Sequence, residues 1–243
     1  MGTAIVTGSG AGLGRAIALR LAGDGFVIAG IDADAEAGAQ TVALVEQTGG
    51  SARRYTADLR DGAAIDTTIR RIESDLGPIT ALVNNAAIFP VGAFLETPAT
   101  TYDDVVAVNQ RAYFLAAQSS ARLMINSGGG AIVNIGSITQ SGGWADMAAY
   151  VVTKGAAATL TRALATELGC YDIRVNCVAP GAFPTRAEEM QADQNAYQKR
   201  IIDSQALKRR GRPEELAAAV SFLVGPDASF VTGQALNVVR GWI

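Results

Sequence analysis

Short apolar, β-branched runs alternate with longer stretches of helical spacing along the whole chain. The apolar runs predict strands at 3–7, 26–31, 52–57, 80–85, 131–137, 173–180 and 235–239. Between them, Ala-rich segments with helical period predict helices at 12–23, 34–48, 61–76, 101–126, 148–169 and 213–224. Alternation of this kind implies βαβ units, hence an α/β fold with a doubly wound parallel sheet and helices on both faces. The strands are apolar almost throughout, as burial on both faces requires. No internal repeat or linker interrupts the rhythm, so a single domain is expected over 1–243. One stretch breaks it: 184–210 is polar and helical in character, and reads either as a solvated surface helix or as a substrate lid.

The connection after the first strand, "VTGSGAGLGRA", places Gly8, Gly12 and Gly14 as G-x-x-x-G-x-G, with Leu13 between the last two. Glycines there allow a tight turn and let backbone N–H groups approach a pyrophosphate at a helix N-terminus. A flexible strand–helix connection is the plainer reading. Position favours the first, because this is the first βα crossing of a doubly wound sheet. Asp32, at the end of the second strand, stands where an acid can take ribose hydroxyls. It could instead cap the helix at 34–48.

Tyr150 and Lys154 lie four apart in an otherwise small and apolar segment, so both leave one helix face. A packed Tyr and a snorkelling Lys would account for them. The chemical alternative is an acid–base pair, an ammonium favouring the phenolate and lowering the Tyr pKa. The chain has no His, which removes Ser-His-Asp hydrolysis and imidazole-built zinc sites. No metal site is expected. Hydrophobic residues make up 49% and charged residues 18% with a net charge of -3, so the chain is globular and carries no basic footprint for nucleic acid. No apolar run reaches membrane-spanning length and no basic-then-apolar leader opens the chain. Two cysteines, Cys170 and Cys177, read as reduced thiols of a cytoplasmic protein.

Taken in order, "TGSGAGLG", "NNAA" (84–87), Asn109, Ser137, Tyr150-x-x-x-Lys154 and Pro180-Gly181 resemble the short-chain dehydrogenase/reductase family. The likeness runs through "GRPEELA" and "VTGQALNV" near the end. It implies a single Rossmann-type domain with a seven-stranded parallel sheet, a nicotinamide cofactor, and a catalytic set of Asn109, Ser137, Tyr150 and Lys154. In that set Ser137 holds a substrate oxygen, Tyr150 exchanges its proton, Lys154 lowers the Tyr pKa and binds ribose, and Asn109 holds a water linking Lys154 to solvent. The resemblance further implies cofactor contacts from Gly8, Gly12, Leu13, Gly14, Asp32, Asp58, Leu59, Asn85, Ala86, Pro180, Gly181, Phe183 and Thr185. Ala87 and Ala112 depart from the family's usual glycines, and Val239 and Arg240 replace its usual Asp-Gly, which bears on the C-terminal turn and subunit contacts. A homotetramer is also implied, packed through 101–126 and 148–169.

The reading that follows is an NAD(H)-dependent enzyme interconverting a small, largely apolar secondary alcohol and its ketone. Ile88, Phe89, Thr139, Gln140, Trp144 and Met190 are the expected substrate pocket, with Phe183 beside them. NAD(H) is favoured over NADP(H) because Asp32 opposes a 2′-phosphate and Ala11 and Ala33 offer no cation; Arg15, on the first helical turn, is read as pointing elsewhere. An acyl-carrier-protein reductase is the alternative, weakened by the absence of Lys and Arg from 124–133 and 167–173. A non-catalytic nucleotide sensor would be expected to lose the Ser, Tyr or Lys, all present here.

Overall fold

The computed structural model describes residues 2–184, 193–239 and 241. Seven strands form one sheet: β1 (Thr3–Thr7), β2 (Val27–Asp32), β3 (Ser51–Thr56), β4 (Ile79–Asn84), β5 (Gly130–Ile135), β6 (Ile173–Pro180) and β7 (Ala235–Val238). Their order across the sheet is β3-β2-β1-β4-β5-β6-β7, and every neighbouring pair is parallel. The chain therefore winds outward from β1 through β2 to β3, then returns to β4 on the other side of β1. That reversal opens a crevice at the carboxyl ends of β1 and β4, where open α/β sheets bind ligands.

Alternation along the strands sorts the core into two layers. Ala4 and Val6 of β1 face a layer with Ile17 and Leu21 of α1 (Gly12–Gly23) and Leu216 and Val220 of α8 (Pro213–Val224). Ile5 faces the other layer, with Ile65, Ile69 and Ile72 of α3 (Gly62–Leu76) and Ala116, Ala121 and Met124 of α5 (Ala112–Asn126). The three isoleucines, at i, i+4 and i+7, are fully buried and contribute roughly 2 kcal/mol each. Asp34 caps α2 (Ala35–Gln47) and Asp61 caps α3, each carboxylate accepting two backbone N–H groups. Arg174 of β6 donates to the carbonyls of Leu223, Val224 and Gly225, neutralising the exposed C-terminal end of α8.

The expected helix at 101–126 is three consecutive pieces: α4 (Ala99–Val106), a π-helical turn over Ala107–Arg111, and α5. The helix starts two residues early, at Ala99 directly after Pro98. The π turn is centred on Asn109, whose side chain is drawn out of the surrounding helix to the strand-end loop at Ile88. α6 (Ala148–Leu168) follows the expected limits closely. Within the suspected lid, α7 spans Gln194–Ser204, and Ile201 is buried; the part of that segment at 185–192, with Thr185 and Met190, lies outside the described residues, as does Arg240.

Candidate active site

The glycine loop closes the carboxyl end of β1 and opens α1. Gly8 and Gly12 both have positive φ, at 63° and 52°. A Cβ on Gly14 would lie 1.9 Å from the Gly8 carbonyl oxygen, so no other residue fits there. Unlike α2 and α3, α1 has no side-chain cap: Ala11 precedes it and its first-turn N–H groups are left to another acceptor. An uncapped helix start, an open face beside Gly12 and a backbone cradle suit a pyrophosphate.

Asp32 does not cap α2, since Asp34 does. Its Oδ2 accepts from the Gly10 N–H at 2.7 Å and its Oδ1 from the Asp34 N–H at 2.9 Å. The carboxylate is thereby pinned at the β2 end, facing the glycine loop. Arg15 turns back towards this corner rather than away from it. Its guanidinium donates to the Gly10 carbonyl, to Gln40 and, at 3.0 Å, to Thr41 Oγ1. The loop after β4 is tied to β1 by Thr7, whose Oγ1 accepts from the N–H groups of Asn85 and Ala86. Asn85 Nδ2 donates to the carbonyls of Thr7 and Gly8. Leu59 is buried, while Asp58 is half-exposed and engaged by Arg60; the hydrogen bond from Arg60 holds its carboxyl below the ordinary carboxylate range. At the far side of the crevice, the Gly181 N–H donates to the Val238 carbonyl, and a Cβ on Gly181 would lie 2.9 Å from Val239 Cα. The departure at Val239 is accommodated against that glycine. Phe183 is buried in the core layer with its ring over Gly211.

Ser137 follows the end of β5 and starts a short 3₁₀ turn at 138–141. Its Oγ accepts from the Thr139 N–H at 3.2 Å and from Thr139 Oγ1 at 2.9 Å. With both lone pairs occupied, its own proton points outward as a donor. Thr139 thus serves Ser137 and is buried. Tyr150, on the first turn of α6, is packed edge-on against Phe89, ring centroids 4.5 Å apart. Burial raises the Tyr150 pKa above its ordinary value, and the Ser137 hydroxyl opposes that rise.

In this state the Lys154 ammonium is hydrogen-bonded to oxygens other than the Tyr150 phenol. Lys154 is 1% exposed, and its Nζ donates to the Ile135 carbonyl at 2.7 Å and to Tyr113 Oη at 3.2 Å. The ammonium sits 5.6 Å from the centre of the Tyr150 ring but is held by other oxygens. Burial in this apolar setting pulls its pKa down to about 8. Asn109 is fully buried, its Oδ1 accepts from the Ile88 N–H, and its Nδ2 donates to the Ile88 carbonyl and to Thr153 Oγ1, so the side chain braces the β4 loop against α6.

Sequence reasoning missed Tyr113, Thr7, Thr153 and Asn134. Asn84 and Asn134 are register partners at the ends of β4 and β5, and Asn84 Nδ2 donates to Asn134 Oδ1 at 2.9 Å. Asn134 in turn donates to Thr161 Oγ1 on α6 at 3.0 Å. An Asn at matching places in two apolar strands was the available signal. A cleft of about 310 Å³ at the start of α6 is bordered by Pro90, Glu96, Thr97, Thr101, Asp146 and Ala149, and among the described residues none of Ser137, Tyr150 and the expected pocket residues lines it. Ile88 is partly exposed, and Trp144 Nε1 lies near Gly142. The Gln140 Oε1 is buried without a hydrogen-bond partner.

A switch-point crevice with a glycine cradle and a Ser–Tyr–Lys cluster at the end of β5 defines an oxidoreductase of the dinucleotide-binding kind. The chain belongs to the short-chain dehydrogenase/reductase family. The family described as "Enoyl-(Acyl carrier protein) reductase" matches residues 8–242. The chain is 36% identical over 240 residues to a 2-(S)-hydroxypropyl-CoM dehydrogenase of Xanthobacter autotrophicus, covering 97% of this chain and 94% of the relative. It is 34% identical to the 5-keto-D-gluconate 5-reductase of Escherichia coli, covering 98% and 94%. Among solved structures, an NAD⁺-bound xylitol dehydrogenase superposes with a TM-score of 0.94 at 33% identity, covering 99% of this chain and 98% of that one. A short-chain dehydrogenase/reductase from Serratia marcescens superposes at 0.92 and 34% identity, covering 99% and 97%.

Proposed function

We propose that this chain is an NAD(H)-dependent dehydrogenase that interconverts a secondary alcohol and its ketone, with Tyr150 as the acid–base group. The observation that carries this reading is a Ser137 hydroxyl whose lone pairs are already filled by Thr139 and which acts on the Tyr150 phenol, leaving a donor and an acid–base group side by side for one substrate oxygen. In the oxidising direction Tyr150 accepts the hydroxyl proton while Ser137 holds the oxygen; in the reducing direction Tyr150 returns it. When bound, the nicotinamide cofactor supplies the two-electron hydride acceptor or donor. The loop at Gly8, Gly12, Leu13 and Gly14 would hold its pyrophosphate, and Asp32 its adenosine ribose. Asp58 and Leu59 would flank the adenine, with Asn85, Ala86, Pro180 and Gly181 along the remainder. Lys154, beside Tyr150, would bind ribose and favour the phenolate.

Asp32 and the neutral Ala11 and Ala33 support NAD(H) over NADP(H), against the Arg15 cation that turns towards the same corner but is bonded to Gly10, Gln40 and Thr41.

The test is turnover of a panel of neutral alcohols and ketones with both cofactors. Tyr150→Phe should lose on the order of 100-fold or more in kcat while NADH binding and thermal midpoint stay near the parent's. Parent-like turnover by that variant would remove Tyr150 from the chemistry. Asp32→Ala should raise kcat/KM with NADP relative to NAD. Unit charges at ~4 Å interact by ~4 kcal/mol at an effective dielectric near 20, and a quarter of that is several-fold in preference. An unchanged ratio would show that this carboxylate does not face the ribose.

A further inference from the structure

Tyr113 lies on the first turn of α5, outside every motif in the sequence, yet its phenol is the nearest side-chain oxygen to Lys154. The ring is 1% exposed. Its Oη accepts from Lys154 Nζ at 3.2 Å and donates to the Ile135 carbonyl at 3.3 Å, while Lys154 Nζ also donates to that carbonyl at 2.7 Å. Ammonium, phenol and carbonyl close a three-membered ring of hydrogen bonds at the end of β5, two residues before Ser137. The Tyr113 ring also presents itself to the ammonium, with Nζ 5.2 Å from its centre.

We propose that Tyr113 is a positioning residue for the reaction: its hydroxyl holds the Lys154 ammonium at the end of β5, beside Tyr150. This rests on the reading of Tyr150 and Lys154 as the acid–base pair.

The groups facing Lys154 explain why a neutral oxygen matters so much here. From α5 it meets Tyr113, from α6 itself Tyr150, from β5 the Ile135 carbonyl, and from β6 Cys177. Burial pushes the Cys177 thiol up to about 11, so it stays uncharged at neutral pH; Arg162 acts on Cys177 from α6. Tyr113 itself is held well above the ordinary phenol value by burial, so it remains a protonated hydroxyl. Among the described residues no carboxylate is paired with Lys154. The charge of a buried ammonium is then carried by one carbonyl, one hydroxyl and two ring faces. Removing the hydroxyl takes away one of its two hydrogen-bond acceptors. Lys154 would shed its proton more readily, and with less positive charge beside it Tyr150 would ionise at higher pH.

The variant is Tyr113→Phe, which keeps the ring and removes only the oxygen. In the NAD-loaded enzyme, the acid limb of kcat/KM for alcohol oxidation should move up by about one pH unit, a tenfold change in the ionised fraction at fixed pH. The alkaline plateau should stay within about threefold of the parent. ¹⁵N NMR of the Lys154 side chain, read without turnover, should show its titration falling by about one unit. Tyr113→Met, which fills similar volume without a hydroxyl, should move the limb the same way and serves if the Phe variant folds poorly. A profile that superposes on the parent's, or a loss equal at every pH, overturns the inference. If Tyr150→Phe is inactive while the Tyr113→Phe profile is unmoved, only the positioning role fails. If Tyr150→Phe turns over normally, the acid–base reading itself has failed.

Discussion

Replacing Lys154 by Met should make the protein more stable at neutral pH while abolishing its chemistry. The ammonium is 1% exposed, and burial lowers its pKa from 10.5 to about 8. That difference of about 2.5 units, at about 1.36 kcal/mol each, puts the cost of keeping the charge inside near 3 kcal/mol at pH well below 8. Met is of similar length and has no charge to desolvate. It forfeits the bonds to Ile135 and Tyr113, but the Ile135 carbonyl keeps the Tyr113 hydroxyl as donor. A net gain of about 1–3 kcal/mol is expected near pH 7. The sign of the pH dependence follows from linkage. Between about 8 and 10.5 the unfolded chain binds a proton at Lys154 that the native state has released, so the parent gains stability as pH rises through this window. Below it the full cost is present; above it the cost is gone. Burial also raises the pKa values of Tyr113, Tyr150 and Cys177, which works in the opposite direction at alkaline pH, but those groups are common to both proteins and largely cancel in the difference. Urea unfolding of parent and Lys154→Met at about pH 7, 8, 9 and 10 measures it. The advantage of the variant should be greatest at pH 7 and shrink towards pH 10. Parallel curves over that range would show that Lys154 is not held at a lowered pKa.

Asn134→Ala should cost about 2–3 kcal/mol in unfolding free energy, because it leaves the buried Asn84 amide and the Thr161 hydroxyl each short of a partner; a loss below about 0.5 kcal/mol would show that the ladder carries no weight. Gly14→Ala should lower NADH affinity more than tenfold and reduce the thermal midpoint, since its Cβ meets backbone at 1.9 Å, whereas Gly23→Ala on the same helix meets nothing within 4 Å and should gain up to about 1 kcal/mol. Equal behaviour of the two variants by fluorescence titration and melting would argue against the cradle.

The layout of the fold was legible because it rests on short-range patterns. Apolar runs separated by helical periods gave all seven strands, and the glycines after β1 marked the switch point before any contact was known. Ser137, Tyr150 and Lys154 were legible as residue types at a spacing. Their partners were not, because partners come from elsewhere in the chain. The Thr139 hydroxyl on Ser137 is one such partner. Asp32 could face the ribose or cap the following helix, and the geometry at α2 gives the cap to Asp34. The surroundings of Lys154 and Tyr150 were not legible for a related reason. Spacing says that a Lys is near, but not that two oxygens on β5 and α5 hold it while burial acts on the phenol. The π turn at Asn109 is invisible in period, since 101–126 scans as one helix and the irregularity exists only to let one side chain reach Ile88.

These partners share a logic that places the chemistry on a helix face rather than on a loop. Lys154 and Thr161 are seven residues apart on α6, two turns, and so point the same way. Both reach β5: Lys154 to the Ile135 carbonyl, Thr161 to the Asn134 side chain one residue earlier. Between and beyond them, Ala157, Ala158 and Ala165 are buried, and their small side chains let the helix lie close enough to the sheet for both bonds to form. Asn84 extends the chain of bonds to β4 and also donates to the Tyr113 carbonyl, which fixes the start of α5 over the same point. The axial position of α6 is therefore set at two heights by hydrogen bonds to one strand. Ser137 leaves that same strand two residues past Ile135, so the Ser–Tyr distance follows from the docking of α6 on β5. A larger residue at Ala157 or Ala158 would lift the helix and separate Ser137 from Tyr150 without touching either.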